Sequence, residues 1–525
     1  MSDPRGTVLF RADANPTIGA GHALRSLALA QAWRNLGGDA ALATAELPQP
    51  IAERWVADGV SVERLEATPG SADDRAATVA LAAARGASWA VLDGYRFGNG
   101  FTTTLQRAGV RVLRIDDIGR SAVADDAILN PNLHADLALY PRRRAGTRFF
   151  LGTRYALLRR EFARPVVARR AQHAERLLVT FGGSDPMGLT LPAVRAVAAA
   201  ARPGLSLRVV VGGATRADEA LRRQIEEAHG NCEVVDSAPD MAVQMDWADA
   251  SISAAGATTW ELLNRGVPSL LIPVADNQRP TAVELQRRGA ALIAMPEDAL
   301  EPERLAPALV ALLEDAELRR RLAAGGPALV DGGGAARVAR ALAPAPLVVR
   351  RAAERDARPL WRWANDTESR RASFEPEPIP WRTHLRWLEA RLADPRCTLL
   401  VAEGEGAEPV GTVRFEPADG RAVISVNVAP EVRGRGLGPA LICAGLAALA
   451  DTPQPPEAVD AYIRPDNPRS LAAFAQAGFE LTGETVKKGP RALKLSFPLT
   501  AVSTPGRSGS GDRPDRDREA ALGKR

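Results

Sequence analysis

Short apolar runs recur along the first two-thirds of the chain, and stretches with helical spacing of apolar residues separate them. Strands alternating with helices of about 10–15 residues predict βαβ units and parallel sheets. The alternation breaks near residues 154–170 and then resumes, so we expect two blocks of similar size. The predicted strands are 8–12, 89–93, 110–115, 127–130, 177–181, 207–211, 232–235, 250–253, 269–273 and 290–294.

The pattern changes after a Pro/Ala-rich linker at residues 341–347. Strands at 347–350, 398–403, 410–415, 422–428 and 459–463, with a long helix after Gly436, predict an α+β domain. The fold class is therefore α/β, with two Rossmann-like domains facing across a cleft and then this α+β domain. The expected boundaries are 1–155, 156–342 and 347–498, and the Ser/Gly/Arg/Asp-rich segment 499–525 is expected to be disordered.

Composition narrows the class of protein. The 525 residues are 46% hydrophobic and 25% charged, and no apolar run approaches the ~20 residues that span a bilayer. The N-terminus lacks an apolar signal region, so we expect a cytoplasmic protein without a membrane partner. Three separated cysteines favour reduced thiols, and the lack of a Cys/His cluster argues against a metal.

Charge does not favour nucleic acid as a partner. The pI is about 9.2, but the formal net charge is only +4 and the arginines are dispersed. A solvated surface explains this balance, and small anionic ligands such as nucleotides remain compatible with it.

The segment "IGAGHALRSLALA" follows the first predicted strand and opens a helix. Gly19 and Gly21 permit a tight turn and a close approach of a ligand, and the helix N–H groups favour an anion. His22 then lies where open α/β sheets bind ligands, and its imidazole can take a proton from water. A histidine that caps or packs against the turn is the alternative interpretation.

Four later segments also combine strand ends with small or polar residues: "LDGYR", "TFGGSDP", "SAAGATTWELLNRG" and "ADNQ". The second and third can cradle a phosphate with backbone N–H groups. Glu261 lies in the first turn of a helix, where a carboxylate can accept ribose hydroxyls or simply complement the helix dipole. The amides of Asn277 and Gln278 can bind sugar groups.

With "RADANPTIGAGHALRSLALA", these segments make the first ~340 residues resemble the nucleotide-sugar hydrolases of pseudaminic acid biosynthesis, relatives of the two-domain GT-B glycosyltransferases. The family releases UDP from UDP-2,4-diacetamido-2,4,6-trideoxy-β-L-altropyranose. The resemblance implies that His22 is the active-site base or orients water, that Tyr95 and Asn277 hold the substrate, and that Glu261 binds the ribose. It implies further substrate contacts at Arg11, Asp13, Gly19, Gly21, Ser253, Gly256, Ala257, Thr258 and Gln278. The family commonly has a second glycine where this chain has Ala257.

A second chemistry is predicted near "VNVAPEVRGRGLGPAL". A strand runs into an R-x-x-G-x-G pattern and a helix leaves it, so the backbone N–H groups from Arg433 to Gly438 can hold a pyrophosphate. An ordinary basic turn is the alternative. Residues 347–498 resemble the GNAT acetyltransferases, which implies acetyl-CoA as cosubstrate and Val428 N–H as donor to the thioester oxyanion. The implied acetyl-CoA contacts are Val428, Arg433, Gly434, Arg435, Gly436, Leu437, Gly438 and Asn467.

Two details qualify that resemblance. Phe474 occupies the position where many GNAT enzymes have a tyrosine acid, so the general acid is unassigned. The segment "LWRWANDTESRRASF" resembles the amino-sugar N-acetyltransferase of the same pathway, with Trp361, Trp363, Asn365 and Arg370 suited to a nucleotide. These four residues fit a core helix with a solvated face equally well.

The combined interpretation is a bifunctional enzyme whose partners are UDP-amino sugars and acetyl-CoA. The GNAT domain would acetylate a UDP-4-amino sugar, and the first module would hydrolyse the product. Two alternatives remain open. One is a GT-B glycosyltransferase or UDP-GlcNAc epimerase with a GNAT domain. The other is a nucleotide-sugar sensor with an inactive GNAT domain.

Overall fold

The computed structural model describes residues 6–166, 174–183, 185–200, 202–212, 219–236, 238–343, 347–404, 407–433 and 437–499. The predicted disordered tail lies outside these residues, apart from Leu499. The chain divides into two compact units, one within Ser2–Ala345 and the other within Pro346–Arg525.

The first unit begins with a seven-stranded sheet in which every pair of neighbouring strands is parallel. Its order is β3-β2-β1-β4-β5-β7-β9, and the short β6 and β8 pair separately. The strands are β1 Thr7–Ala12, β2 Asp39–Thr44, β3 Ser61–Arg64, β4 Ala87–Asp93, β5 Arg111–Ile115, β6 Ala122–Val123, β7 Ala127–Asn130, β8 Arg142–Arg143 and β9 Arg148–Leu151. The helices are α1 Gly21–Asn35, α2 Gln49–Ala57, α3 Ala72–Ala84 and α4 Asn99–Arg107.

A second parallel sheet follows, with order β12-β11-β10-β13-β14-β15. Its strands are β10 Arg176–Thr180, β11 Ser206–Val211, β12 Cys232–Asp236, β13 Ala250–Ala254, β14 Ser269–Ile272 and β15 Leu292–Ile293. The helices are α5 Thr190–Ala199, α6 Glu219–Ala228, α7 Met241–Trp247, α8 Thr258–Asn264, α9 Arg279–Arg287, α10 Pro296–Ala299, α11 Pro302–Glu314, α12 Ala316–Leu329 and α13 Gly334–Leu342. Helix α13 returns to the first sheet, since Val338 and Leu342 are buried in the same core as α1.

The second unit contains a seven-stranded mixed sheet with order β16-β17-β18-β19-β20-β22-β21. The strands are β16 Val348–Arg351, β17 Thr398–Glu403, β18 Pro409–Ala418, β19 Arg421–Val428, β20 Ala458–Ile463, β21 Glu480–Val486 and β22 Arg491–Pro498. The helices are α14 Ala357–Ala364, α15 Thr367–Ala372, α16 Trp381–Ala393, α17 Leu437–Ala450 and α18 Pro468–Gln476. One face of the sheet packs against α17 and α18 and the other against α14 and α16.

Strands β19 and β20 separate along their length. They are the one parallel pair recorded for this sheet, and they pair only at Ala422 with Val459 and at Val423 with Asp460. Beyond Val423, β19 continues for five residues paired with β18, while β20 continues paired with β22. A splay therefore opens at the carboxyl end of β19.

The predicted α/β class is confirmed, with two parallel sheets followed by an α+β unit. The pattern missed β2, β3, β6, β8, β9, β21 and β22. Strand β2 reads "DAALAT", and alanine favours helices and is depleted in strands. Strand β21 reads "ELTGETV" and is exposed along its whole length, so no buried face marks it.

Candidate active sites

The two parallel sheets each have one point where the strand order reverses. In the first sheet this switch lies between β1 and β4, and in the second between β10 and β13. Open α/β sheets bind ligands beyond the carboxyl ends of the strands at such a point. His22 follows β1 and Asp93 ends β4, so both flank the first switch point.

His22 is held by a carboxylate. Its Nδ1 lies 2.6 Å from Asp93 Oδ1, and the Asp93 side chain is fully buried. An Nδ1–H that donates to this carboxylate leaves Nε2 as the basic atom of the ring. Among the described residues Nε2 has no hydrogen-bond partner, and the Tyr95 ring packs edge-on against the imidazole at 5.1 Å.

Arg25, one helical turn after His22, connects two carboxylates. It donates to Asp93 through Nε at 2.8 Å and Nη2 at 2.6 Å, and to Asp117 through Nη1 at 2.7 Å and Nη2 at 3.0 Å. Burial alone would raise the pKa of Asp93, but Arg25 and His22 outweigh it and lower this pKa to about 2. Arg25 likewise lowers the pKa of Asp117 against the effect of burial. Both carboxylates are therefore ionised at neutral pH.

Tyr95 and Asn277 meet across the two halves of the unit. Asn277 Nδ2 donates to the Tyr95 hydroxyl at 3.1 Å, and this hydroxyl lies 3.1 Å from Asp117 Oδ2, to which it donates. Burial and the negative charge of Asp117 raise the pKa of Tyr95, so the phenol keeps its proton. The structure thus brings two predicted substrate-binding residues together with the His22 network.

Glycine loops of both halves approach one another closely. A Cβ added to Gly183 would lie 2.5 Å from Ala20 N, so only glycine fits there. Gly19 has φ +74°, and Gly21 has open space where a Cβ would lie. No side chain caps α1 at Ala20, and within the described residues the N–H groups of Gly21 and His22 have no acceptor.

The loop after β13 presents further donors. The N–H groups of Gly256, Ala257 and Thr258 have no recorded acceptor in the described part of the chain. Gln278 Oε1 accepts from Val274 N at 2.9 Å, which turns its Nε2 toward Gly256, where an added Cβ would lie 3.3 Å away. Consecutive amides of this kind can bind the oxygens of a diphosphate.

Glu261 already has a partner. Arg159 Nη2 donates to its Oε1 at 2.8 Å, and Arg159 also pairs with Glu161. Burial raises the pKa of Glu261 more than Arg159 lowers it. Arg159 lines a cleft of about 430 Å³ formed by residues of both halves. A ribose contact by Glu261 stays a prediction.

Three predicted contact residues are enclosed in the structure. Arg11 has no exposed side-chain surface and pairs with Asp13 and Asp74. Asp13 accepts from Arg11 and from backbone N–H groups after β2, which holds that loop. Ser253 is fully buried within β13, and its hydroxyl bonds to Ala254 O. These contacts hold the strand ends together, and substrate contacts at Arg11, Asp13 and Ser253 stay predictions.

Sequence reasoning missed Arg25 and Asp117 and did not assign Asp93 a role. The available signals were weak. Arg25 lies at i+3 from His22, on the same helix face, and Asp117 belongs to an Asp-Asp pair directly after β5. Only the strand order places these groups beside one another.

In the second unit, the splay presents the backbone of Val428. Ala429 donates its N–H to Val410 O at 2.9 Å, and Gly411 lies opposite Val428. Because successive N–H groups in a strand point in opposite directions, the N–H of Val428 points away from β18 and into the splay. This orientation suits a donor to a thioester carbonyl oxygen.

The loop after β19 is partly described. Gly434, Arg435 and Gly436 lie outside the described residues, so their predicted contacts with acetyl-CoA stay predictions. Arg433 donates to Val428 O at 3.1 Å and to Ser369 Oγ at 2.8 Å, and it pairs with Asp366, the N-cap of α15.

Three other predicted residues of this site have structural contacts. Leu437 is buried in the core. A Cβ on Gly438 would lie 3.4 Å from Ala473 of α18. Asn467 caps α18 by accepting from Ser470 N at 3.1 Å.

The aromatic entry segment supports a loop. Trp361 Nε1 donates to Ile379 O at 2.8 Å, and Asn365 accepts from Ile379 N at 2.7 Å. Arg370 donates to backbone carbonyls at Glu375 and Glu377, and Trp363 is buried in the core. The core-helix alternative therefore describes these residues better than nucleotide contacts. Phe474 is also buried, edge-on against Phe479 at 5.0 Å.

Across the described residues, no cluster of three or more His, Cys, Asp or Glu side chains could hold a metal ion. Of the helices described here, none is both long and apolar enough to cross a bilayer.

Protein-family comparisons identify both regions. The model of the acetyltransferase (GNAT) domain matches residues 347–480, and the model of the glycosyltransferase family 28 C-terminal domain matches residues 177–325. The chain therefore carries a glycosyltransferase-28-like domain and a GNAT domain.

Curated relatives match parts of the chain. The spore coat polysaccharide biosynthesis protein SpsG of Bacillus subtilis is 31% identical over 179 residues, which cover 33% of this chain and 51% of that protein. The UDP-N-acetylglucosamine–N-acetylmuramyl-(pentapeptide) pyrophosphoryl-undecaprenol N-acetylglucosamine transferase of Xylella fastidiosa is 37% identical over 134 residues, 23% of this chain and 35% of the relative. Mycothiol acetyltransferase of Kineococcus radiotolerans is 33% identical over 126 residues, 23% and 40% respectively. The chain spans about half or less of the length of these relatives.

Solved structures similar to the chain include acetyltransferases. Spermidine N-acetyltransferase from Vibrio cholerae, in complex with CoA and spermine, has a TM-score of 0.27 and 17% identity, covering 30% of this chain and 96% of that one. The aminoglycoside acetyltransferase AAC(6')-Ib in complex with coenzyme A has a TM-score of 0.27 and 21% identity, with 30% and 96% covered.

Proposed function

We propose that the first unit hydrolyses a UDP-linked 2,4-diacetamido-2,4,6-trideoxy-altropyranose to UDP and the free sugar. The proposal depends on one observation above the others: the His22–Asp93 pair at the first switch point, with Nε2 unengaged among the described residues. A base and a water molecule are what hydrolysis needs, whereas glycosyl transfer needs a site for a second sugar or lipid.

The proposed reaction would use this geometry as follows. A water molecule gives a proton to His22 Nε2 while its oxygen bonds to the anomeric carbon. The bond between this carbon and the diphosphate oxygen breaks, and UDP leaves with the electron pair. Asp93 accepts from Nδ1–H and stabilises the imidazolium that forms. The N–H groups of Gly256, Ala257 and Thr258, which have no recorded acceptor among the described residues, would stabilise the charge on the leaving diphosphate.

The second unit would acetylate the 4-amino group of the UDP-sugar precursor. The amine nitrogen bonds to the thioester carbon, and the Val428 N–H stabilises the oxyanion. The carbon–sulfur bond then breaks and CoA leaves as a thiolate; the proton that the amine nitrogen loses reaches this thiolate through water, since Phe474 cannot supply one. Linking both activities in one chain raises the effective concentration of the shared intermediate.

Glycosyl transfer is the second candidate function, because the glycosyltransferase family 28 match and the Xylella relative favour it. Incubation of the purified full chain with the UDP-4-amino sugar and acetyl-CoA, followed by proton NMR, separates the two. Hydrolysis predicts N-acetylation and then UDP and free sugar without any added acceptor. UDP release that requires an added acceptor would refute the hydrolase.

The variant His22→Ala tests the residue assignment. We expect UDP release to fall about 10²- to 10⁴-fold, the contribution of a positioned base, while acetyl transfer is unchanged. His229→Ala is the matched control, since His229 precedes β12 at the amino edge of the second sheet, away from the switch points. Loss of both activities in His22→Ala would contradict the assignment of two separate sites.

A further inference from the structure

Arg25 and Asp117 lie behind the His22–Asp93 pair. Arg25 uses four of its five N–H groups on two carboxylates. Asp117 has no recorded bond to His22 among the described residues and reaches it only through Arg25 and Asp93. Arg25 Nη2 also lies 3.1 Å from His22 Nδ1, so Arg25 touches both the ring and its carboxylate, and Asp117 is placed to act on the base through Arg25.

The chain of contacts also crosses the cleft. It runs from Asn277 to Tyr95, Asp117, Arg25, Asp93 and His22, with each neighbouring pair within 3.1 Å. A second contact joins the same parts of the two halves: His134 Nδ1 lies 3.2 Å from Thr281 Oγ1, three residues beyond Gln278. The segment that supplies Asn277 therefore rests directly on the network that holds the base.

We propose that Arg25 and Asp117 are positioning residues, which fix Asp93 on His22 Nδ1 and connect this orientation to the seating of Asn277 on Tyr95. The inference rests on the proposed UDP-sugar hydrolysis and assigns the residues that organise it. The Asp93 side chain is fully buried, so its orientation is set by its donors and not by water. Without the Asp117 carboxylate, the Arg25 guanidinium pairs with one carboxylate instead of two. It can then move away from Asp93.

The matched pair for the test is Asp117→Asn and Asp125→Asn. Asp125 is fully buried, forms an ion pair with Arg114 at 3.0 Å and accepts from Thr102 at 2.6 Å, but it has no recorded contact with His22 or Asp93 in the described residues. We expect Asp117→Asn to lower kcat for UDP release about 10- to 100-fold, with KM changed less than about threefold. Asp125→Asn should lower thermal stability and leave kcat within about twofold of the wild type.

Arg25→Lys and Arg25→Gln extend the series. Lysine keeps the positive charge but cannot bridge both carboxylates as a planar fork, so we expect an intermediate kcat, with glutamine lower. A wild-type kcat in Asp117→Asn, or an equal loss in Asp125→Asn, would refute a positioning role. In the Tyr95→Phe background, Asp117→Asn should cost less than it does alone, because one connected chain is already broken. Additive losses would refute the connection to Asn277.

A readout without turnover keeps the inference separate from the proposed hydrolysis. Nitrogen-15 NMR of labelled histidine, with the His22 signal assigned by His22→Ala, reports which ring nitrogen carries the proton. The wild type should show Nδ1–H, and Asp117→Asn should show a mixture of tautomers. An unchanged tautomer in both Asp117→Asn and Arg25→Gln would overturn the positioning role. A wild type that shows Nδ1–H but releases no UDP would overturn the hydrolase proposal alone.

Discussion

Asp93→Asn is the substitution that tests the base most directly. The carboxylate accepts from His22 and Arg25 on Oδ1 and from Arg25 and Ser26 on Oδ2. Asparagine has one acceptor oxygen and one NH2 group. Its NH2 group would therefore point at groups that themselves donate hydrogen bonds. If the NH2 faces His22, then Nδ1 must accept and the proton moves to Nε2, the atom that has to be free to act as the base.

Asp93→Asn should affect both the stability of the protein and kcat for UDP release. The pKa of Asp93 is lowered from 3.8 to about 2, which corresponds to about 2 kcal/mol of stability from the ionised form. Because the folded-state pKa is the lower one, this stability is present above pH ~4 and is lost as pH falls toward 2. The displaced tautomer should reduce kcat for UDP release about 10²- to 10⁴-fold.

The assay pairs UDP release with unfolding of the same variant. Acetyl transfer by the same chain should persist, and the stability gap between wild type and Asp93→Asn should shrink between pH 7 and pH 3. Asp74→Asn is the control, since Asp74 is fully buried on the Arg11 fork but not in the site. A kcat for Asp93→Asn within about threefold of the wild type would refute the base assignment.

Three further substitutions test other parts of the structure. Gly183→Ala places a Cβ 2.5 Å from Ala20 N and should weaken UDP-sugar hydrolysis. Gly230→Ala is the control, since its added Cβ has no atom within 4 Å and should leave the kinetics unchanged. Equal kinetics of the two variants would contradict the close approach of the loops. Val428→Pro removes the N–H that points into the splay, so acetyl transfer should fall about 10²- to 10³-fold with little change in melting temperature. Ala429→Pro is the control, and it should lower the melting temperature because it removes the hydrogen bond to Val410 O. Burial raises the pKa of Asp460, but hydrogen bonds from Arg421, Ser496 and Lys494 outweigh it and lower this pKa to about 2. The ionised Asp460 should therefore add about 2 kcal/mol to the free energy of unfolding above pH ~4, and this stability should be lost as pH falls toward 2. A pH-independent difference in stability between Asp460→Asn and wild type would refute this.

The sequence predicted the elements whose signal is local. The apolar run of β10, "RLLVT", is buried on both faces after its first residue, which is what a central parallel strand requires. The edge strand β21 is fully exposed and therefore has no such signal. Helix α13 was assigned to the second domain by its position along the chain, yet its apolar face completes the core of the first sheet.

The residues of the candidate site also differ in whether a local sequence signal marks them. His22, Tyr95 and Asn277 were identified from motifs, and the structure brings all three to one network. Arg25 could not be connected to its partners, because Asp93 and Asp117 lie 68 and 92 residues away along the chain. Conversely, Arg11 belongs to a matching motif but is enclosed by carboxylates, which a linear pattern cannot reveal.

The two crevices differ in charge, and this difference orients a substrate. At the first switch point, one guanidinium faces two carboxylates, so the imidazole of His22 lies beside a group of net negative charge. At the second, the loop after β13 offers unpaired N–H groups among the described residues. The carboxylates make the first crevice less favourable for a diphosphate than the second, although the N–H groups of Gly21 and His22 also lie at the first. Under the proposed hydrolysis, the diphosphate would then bind the second half and direct the anomeric carbon toward His22.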